Sequence, residues 1–292
     1  MGVRRYRSSD EDSARWWDFP FREGDIVIST RSKSGTTWVQ MICALLVFGS
    51  PELPAPLAEL SPWLDWLVRP QEEVFEQLAM QHHRRFIKTH TPLDGIPNEP
   101  GVTYVVVGRQ PLDMAVSLYH QNANIDHQRL ASLTNQPVSA ATLPSLHQWL
   151  VGWIRAQPDP VMQLDSLPGV FWHLSGAWER RSEEKLILVH YQDLEEDLEG
   201  TMRRLAAQLG FEVSEDKWKD LIEAASFEQM RARSTLFAPD PVDILKDKSA
   251  FFRRGSTGAA GELLSAEGYA LYKERAAALQ PDLSLWLHRA PL

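Results

Sequence analysis

Four short apolar runs constrain this chain more than any other feature. Asp25–Thr30 (DIVIST), Arg84–Thr89 (RRFIKT), Thr103–Gly108 (TYVVVG) and Lys185–His190 (KLILVH) are each rich in Val, Ile or Phe. None shows the clean alternation of a strand with one wet face. A strand covered on both faces has this pattern, and a parallel sheet is covered on both faces because its crossover helices pack on each side. Helical segments lie between the runs. The chain therefore predicts an α/β fold, with a central, mostly parallel β-sheet flanked by helices.

The helical segments carry their own punctuation. Thr36–Phe48 is apolar almost all round, as a buried helix is, and lies between Gly35 and Gly49. Asp193–Leu209 reads as one amphipathic helix with Leu194, Leu198, Met202, Leu205 and Leu209 on a single stripe. Asp193 and Glu196 have capping-box spacing there, and Gly210 is a natural stop. Pro111 sits where the first turn of another helix tolerates it. No linker composition interrupts the chain, so residues 1–292 read as one domain with a core of about 24–258. Gln121–Pro168, rich in Gln, Pro and Ser, reads as a substrate-facing insertion.

Charge and composition exclude several classes. Acidic residues outnumber basic ones 39 to 30, a net charge of −9 that argues against a nucleic-acid partner. Cys43 is the single cysteine, so no intrachain disulfide can form. The opening MGVRRYRSSDEDSARWW has no apolar leader region, and the longest apolar run, Met41 to Phe48, is far short of the ~20 residues that span a bilayer. A cytoplasmic protein with no membrane partner is expected. His82 with His83, and His120 with His127, lack recognisable zinc spacing, so no metal is expected.

The segment DIVISTRSKSGTTWVQMICALLVF carries the first chemistry. A strand ends at Thr30, a loop holds Lys33, Ser34 and Gly35, and a helix opens at Thr36, Thr37 and Trp38. The first turn of a helix leaves backbone N–H groups unpaired at the positive end of its dipole, which makes an anion site. Gly35 lets the backbone approach the anion, the threonines add hydroxyl donors, and Lys33 adds a full charge. It is not a Walker A loop, because the lysine precedes the only glycine instead of following a second one.

STRSKSGTTW resembles the 5′-phosphosulfate loop of the cytosolic-type sulfotransferases, usually written T-Y-P-K-S-G-T-T-W, with Arg31 and Ser32 in place of Tyr-Pro. Further segments match in the same order. FIKTHTPLD resembles the K-T-H-L-P segment and carries Lys88 and His90. VVVGRQPLDMAVSLYH resembles the 3′-phosphate segment, with Arg109 and Ser117. FFRRGSTG resembles F-x-R-K-G-x-x-G and carries Arg253, Arg254 and Gly255. HYQDL and ASFEQM echo two weaker motifs and single out Tyr191 and Phe227.

The resemblance implies a sulfotransferase that uses 3′-phosphoadenosine 5′-phosphosulfate (PAPS) as donor and releases the bisphosphate PAP, without a metal. It implies His90 as general base, Lys33 at the bridging oxygen, Lys88 at the sulfuryl oxygens, and Ser117 as a restraint on Lys33. Donor contacts are then expected from Lys33, Ser34, Gly35, Thr36, Thr37, Trp38, Arg109, Ser117, Tyr191, Phe227, Arg253, Arg254 and Gly255. The residues themselves agree: an adenosine with phosphate groups at both ends needs two anion sites, and arginine's planar fork suits a terminal phosphate.

The acceptor is a small molecule bearing a hydroxyl or amine, and aromatic residues suggest an apolar or aromatic one. Trp63, Trp66, Trp149 and Trp153 stand at helical spacings and suit either core packing or an acceptor pocket. The sequence departs from the family pattern after Gly258, where Ala259, Ala260 and Gly261 replace Asp-Trp-Lys. The usual C-terminal dimer motif is not evident, so a homodimer stays open. Two alternatives also remain: a P-loop-like kinase, and a nucleotide-binding protein without catalysis.

Overall fold

The computed structural model describes residues 2–137, 143–253, 258, 263–290 and 292. The four apolar runs form one parallel sheet: β1 (Ile26–Thr30), β2 (Phe86–Thr89), β3 (Thr103–Gly108) and β4 (Leu186–His190), in the order β2-β1-β3-β4. Ile28 of β1 stands beside Lys88 of β2 and Val105 of β3, and Gly108 of β3 beside His190 of β4.

The absence of alternation has its cause in two separate cores. Val27, Ile87, Tyr104, Val106 and Leu186 point into one apolar cluster, together with the Leu146–Arg155, Leu167–Glu179 and Pro281–His288 helices. Their strand neighbours Ile26, Ile28, Phe86, Val105, Val107, Ile187 and Val189 point into the other. Both faces are therefore dry. The second core is built on α1 (Thr36–Phe48), whose first eleven residues are all buried. Beneath the amino ends of β1 and β2 lies a buried ion pair, with Arg85 Nε 2.8 Å from Asp25 Oδ1 and both side chains at most 2 % exposed.

The expected capping of α1 and of the Pro111–Asn124 helix holds. Gly35 and Gly49 flank α1 in left-handed conformations, and Pro111 occupies the first turn behind the Gln110 cap. The single helix expected over Asp193–Leu209 is instead two, Tyr191–Glu196 and Leu198–Leu209. His190, not Asp193, caps the first, and Asp197 breaks the run in a non-helical conformation before capping the second through Gly200 N–H. The stripe survives because Leu194, Leu198, Met202, Leu205 and Leu209 all face the second core. Trp63 and Trp66 are not helical either. They lie in an irregular segment that bridges Lys88 on one side and Glu11 on the other. No described helix is long and apolar enough to cross a membrane.

Candidate active site

All four strands deliver a side chain to one cavity at their carboxyl ends, where open α/β sheets bind ligands. The loop after β1 supplies Ser32, Lys33 and Gly35, and α1 supplies Thr36, Thr37 and Trp38. Lys88 and His90 come from the end of β2, Arg109 from the end of β3 and Tyr191 from the end of β4. Ser117 reaches the same wall from the Pro111–Asn124 helix, as do Phe227 and Arg253 from the C-terminal third.

The loop is held by its neighbours. Lys33 takes a left-handed φ of 63°, and its carbonyl accepts a 2.9 Å hydrogen bond from Arg109 Nη1. Gly35 is left-handed too, and a Cβ there would lie 2.9 Å from the Tyr191 ring. Only glycine meets both demands. The Arg109 guanidinium in turn sits 4.0 Å from the centre of that ring.

Aromatic faces hold the two lysines. Lys33 Nζ lies 3.6 Å from the centre of the Phe251 ring, and Lys88 Nζ 4.0 Å from the Trp63 ring. Burial, then Arg109, Lys88 and Arg253, push the Lys33 ammonium well below its usual range. Burial lowers Lys88 to about 8, against the opposing pull of Glu11 and Asp65. A dry cluster of like charges gains when an anion enters, so this wall fits a phosphosulfate.

His90 is 5 % exposed, and its Nδ1 lies 2.6 Å from the Thr30 carbonyl. A carbonyl can only accept, so Nδ1 carries the proton and Nε2 keeps its lone pair. Burial, then Lys88 and Arg31, hold the imidazolium well below its usual pKa. The ring is thus neutral and basic at Nε2 near pH 7. It packs edge-on against Trp63, 4.6 Å between centres.

The aromatic end of the cavity is made by Trp38, Tyr191, Phe227, Met230 and Phe252. Trp38 is pinned by a 2.9 Å bond from its indole N–H to the Ala225 carbonyl, and meets Phe227 at 6.2 Å. These rings offer faces against which a flat purine can pack.

Not every expected residue lands on this wall. Ser34 is buried off it, with its backbone N–H closing a turn onto the Arg31 carbonyl. The Thr36 hydroxyl is paired with that of Thr30. Arg254 and Gly255, with the Ala259–Gly261 departure, lie outside the described residues.

Three contributors escaped motif reading. Phe251 was visible only as the first letter of FFRRG. Arg31 is 2 % exposed and donates to both the His90 carbonyl and, at 2.7 Å, Asp165 Oδ1. Glu11 lies on the wall of a second cavity of about 540 Å³, which shares Ser32, Trp63, Trp66, Gln121 and Ile244 with the first. Trp149 and Trp153 line that second cavity from the Leu146–Arg155 helix, so all four tryptophans face ligand space as well as protein.

A parallel sheet with an anion loop after β1, a cationic cluster and a neutral histidine defines an enzyme that transfers a group from an anionic nucleotide. The sulfotransferase domain family model matches residues 23–267, and the chain belongs to that family of PAPS-dependent sulfotransferases. The glycolipid sulfotransferase of Mycobacterium bovis (strain BCG / Pasteur 1173P2) is 39 % identical over 97 % of this chain and 93 % of its own length. That of Mycobacterium tuberculosis (strain H37Rv) is 38 % identical with the same coverage. In fold, the chain is similar to retinol dehydratase in complex with androsterone and PAP, with a TM-score of 0.70, 20 % identity, and coverage of 92 % and 86 %. It is similar also to mouse sulfotransferase SULT7A1 complexed with PAP, at 0.69 and 19 %, covering 94 % and 91 %. The kinase alternative falls away with this membership.

Proposed function

We propose that this enzyme moves the sulfuryl group of PAPS to a hydroxyl of a glycolipid acceptor, with His90 as general base. The observation that carries the reading is the meeting of Lys33, Lys88, Arg109 and a neutral His90 on one cavity wall, open to a second, larger cavity. The names of the relatives at 38–39 % identity support the acceptor class. A cavity of about 540 Å³ is within the range that holds drug-sized ligands, so it accommodates a headgroup and part of a chain.

The phosphosulfate lies along Lys33, Gly35, Thr37 and the first turn of α1. Arg109, Ser117 and Arg253, with Arg254 and Gly255 from the same motif, take the 3′-phosphate. The adenine packs against Trp38 and Phe227, beside Tyr191. The acceptor hydroxyl attacks sulfur in line, its oxygen–sulfur bond forming as the sulfur–oxygen bond to the phosphate breaks. His90 Nε2 takes the hydroxyl proton, and the electron pair leaves with PAP. Lys33 stabilises the charge growing on the departing oxygen, and Lys88 that on the sulfuryl oxygens. Ser117 makes no hydrogen bond to a described residue, which leaves its hydroxyl for the donor or for Lys33. Positioning and electrostatics do most of this work, and the base adds ~10²–10⁴-fold.

The test is transfer from sulfur-labelled PAPS to a panel of glycolipids, phenols and sterols, with product mass. A glycolipid bearing one added sulfuryl group is expected. Labelled phenols or sterols with unlabelled glycolipids would overturn the acceptor class. His90→Ala should keep PAP affinity while losing most turnover; full turnover would overturn its role as base.

A further inference from the structure

The second cavity has two chemically different walls. One is aromatic: Trp63 and Trp66 stack at 4.8 Å with 14° between planes, and Trp149 and Trp153 stand in the same cavity. The other is polar, with Glu11, Arg31, Gln163 and Asp165 among its residues. The reacting imidazole touches this space through Trp63.

Glu11 is placed there by a rigid backbone. Its N–H donates a 3.0 Å bond to Ser8 Oγ, and it bridges Trp66 in antiparallel fashion. Asp12 N–H binds the Asp65 carbonyl at 2.9 Å and Leu67 N–H the Asp10 carbonyl at 2.7 Å, so the bridge is anchored on both sides. In an antiparallel bridge the paired side chains leave on the same face, which sets the Glu11 carboxyl beside the Trp66 indole. That carboxyl makes no ion pair or hydrogen bond to a described residue. It is close enough to Lys88 and Arg31 for both to feel its charge, and burial pushes its own pKa well up. A carboxyl group held in an aromatic-walled cavity without a protein partner is a hydrogen-bonding group awaiting one.

We propose that Glu11 is the specificity-determining residue of the acceptor site, accepting a hydrogen bond from a glycosyl hydroxyl adjacent to the one that is sulfated while the sugar ring lies against Trp63 and Trp66. The proposal rests on the glycolipid reading above and deepens it. A polyol satisfies both His90 and Glu11 at once. A phenol or sterol has one hydroxyl, which His90 must take, so Glu11 stays unpaired and desolvated. Sites built to bond a hydroxyl reject analogues that lack it for this reason. The aromatic faces supply area to either ligand and do not discriminate.

The test compares an n-octyl glucoside, below its micellar concentration, with 4-octylphenol. Binding to the PAP complex is read by tryptophan fluorescence, and transfer by labelled PAPS. For Glu11→Ala, the ratio of kcat/KM for glucoside over phenol should fall about 10- to 100-fold, the size of a lost buried hydrogen bond. Glucoside affinity should fall with it, and PAP affinity should not. Glu11→Asp, which keeps the carboxyl but withdraws it by one methylene, should show the same selective loss if the Ala variant folds poorly. An equal loss on both acceptors, or none on either, overturns the proposal, as does a parent enzyme that does not bind the glucoside. If the parent binds the glucoside through Glu11 yet transfers nothing to it, the assignment of Glu11 stands and the glycolipid reading of the reaction fails.

Discussion

Replacing Arg31 by Met tests how His90, the proposed base, is held. Arg31 sits between β1 and Lys33, where the family usually has tyrosine. It reaches the His90 carbonyl with Nη1 and Asp165 with Nη2. Methionine keeps most of the stem volume and removes both bonds and the charge. Losing a buried bond from a charged donor costs about 1.5–3 kcal/mol. The Asp165 side chain is 37 % exposed, so its pairing is screened and adds only about 0–1 kcal/mol. The sum is about 1.5–4 kcal/mol, a large share of the ~5–15 kcal/mol that holds a typical domain. Turnover should fall about 10- to 100-fold, because a shift of about 1 Å at the base is enough for that.

The pH profile separates positioning from general damage. A base works only when deprotonated, so activity falls as pH drops through the His90 pKa. The Arg31 charge helps to hold that pKa down. Its removal therefore raises the pKa and moves the acid limb of kcat to higher pH. Arg31→Lys keeps the charge but lacks the two-pronged fork. It should restore the acid limb while recovering little turnover. Urea titration and a kcat–pH series check both halves. A Met variant with the parent's urea midpoint and the parent's acid limb would refute the reasoning.

Other predictions concern the frame of the site. Burial holds His173 at about 3 and His190 at about 4, so both are neutral in the folded chain and take up protons when it unfolds. Their contribution is complete above the ordinary value of about 6.5 and is lost as pH falls, by about 2 kcal/mol for each group at pH 5; urea midpoints at pH 5 and 7.5 measure it, and equal midpoints would reject the buried neutral state. Gly35→Ala faces both a left-handed φ of 106° and the Tyr191 ring, and should lower thermal stability and weaken PAP binding in calorimetry. Arg85→Met strands the buried Asp25 carboxylate and should cost about 3–5 kcal/mol, and Asp25→Asn in the same chain should recover part of it in denaturant titration.

How much was legible depended on distance along the chain. The strands, the loop, α1 and the Lys88–His90 pair each fall within a short contiguous stretch, where periodicity and backbone chemistry act locally. The break at Asp197 was not legible, because the apolar stripe runs through it unbroken. Asp197 parts two helices there, and the first starts at Tyr191 directly after β4, against Gly35. Trp63 and Trp66 have helical spacing but no helix, since their segment is recruited as a partner for Lys88 and Glu11.

From residue order alone came the doubly covered sheet, the anion loop and the set of cations and the imidazole that meet there. These follow from local rules of burial, turn geometry and helix ends. Only the tertiary structure decided what Arg31 and Glu11 do. Arg31 is 59 residues from His90 and 134 from Asp165, and Glu11 meets Trp66 across the chain. Their roles arise from a low-dielectric space enclosed by distant segments, and no local pattern encodes which side chains that space will leave without a partner.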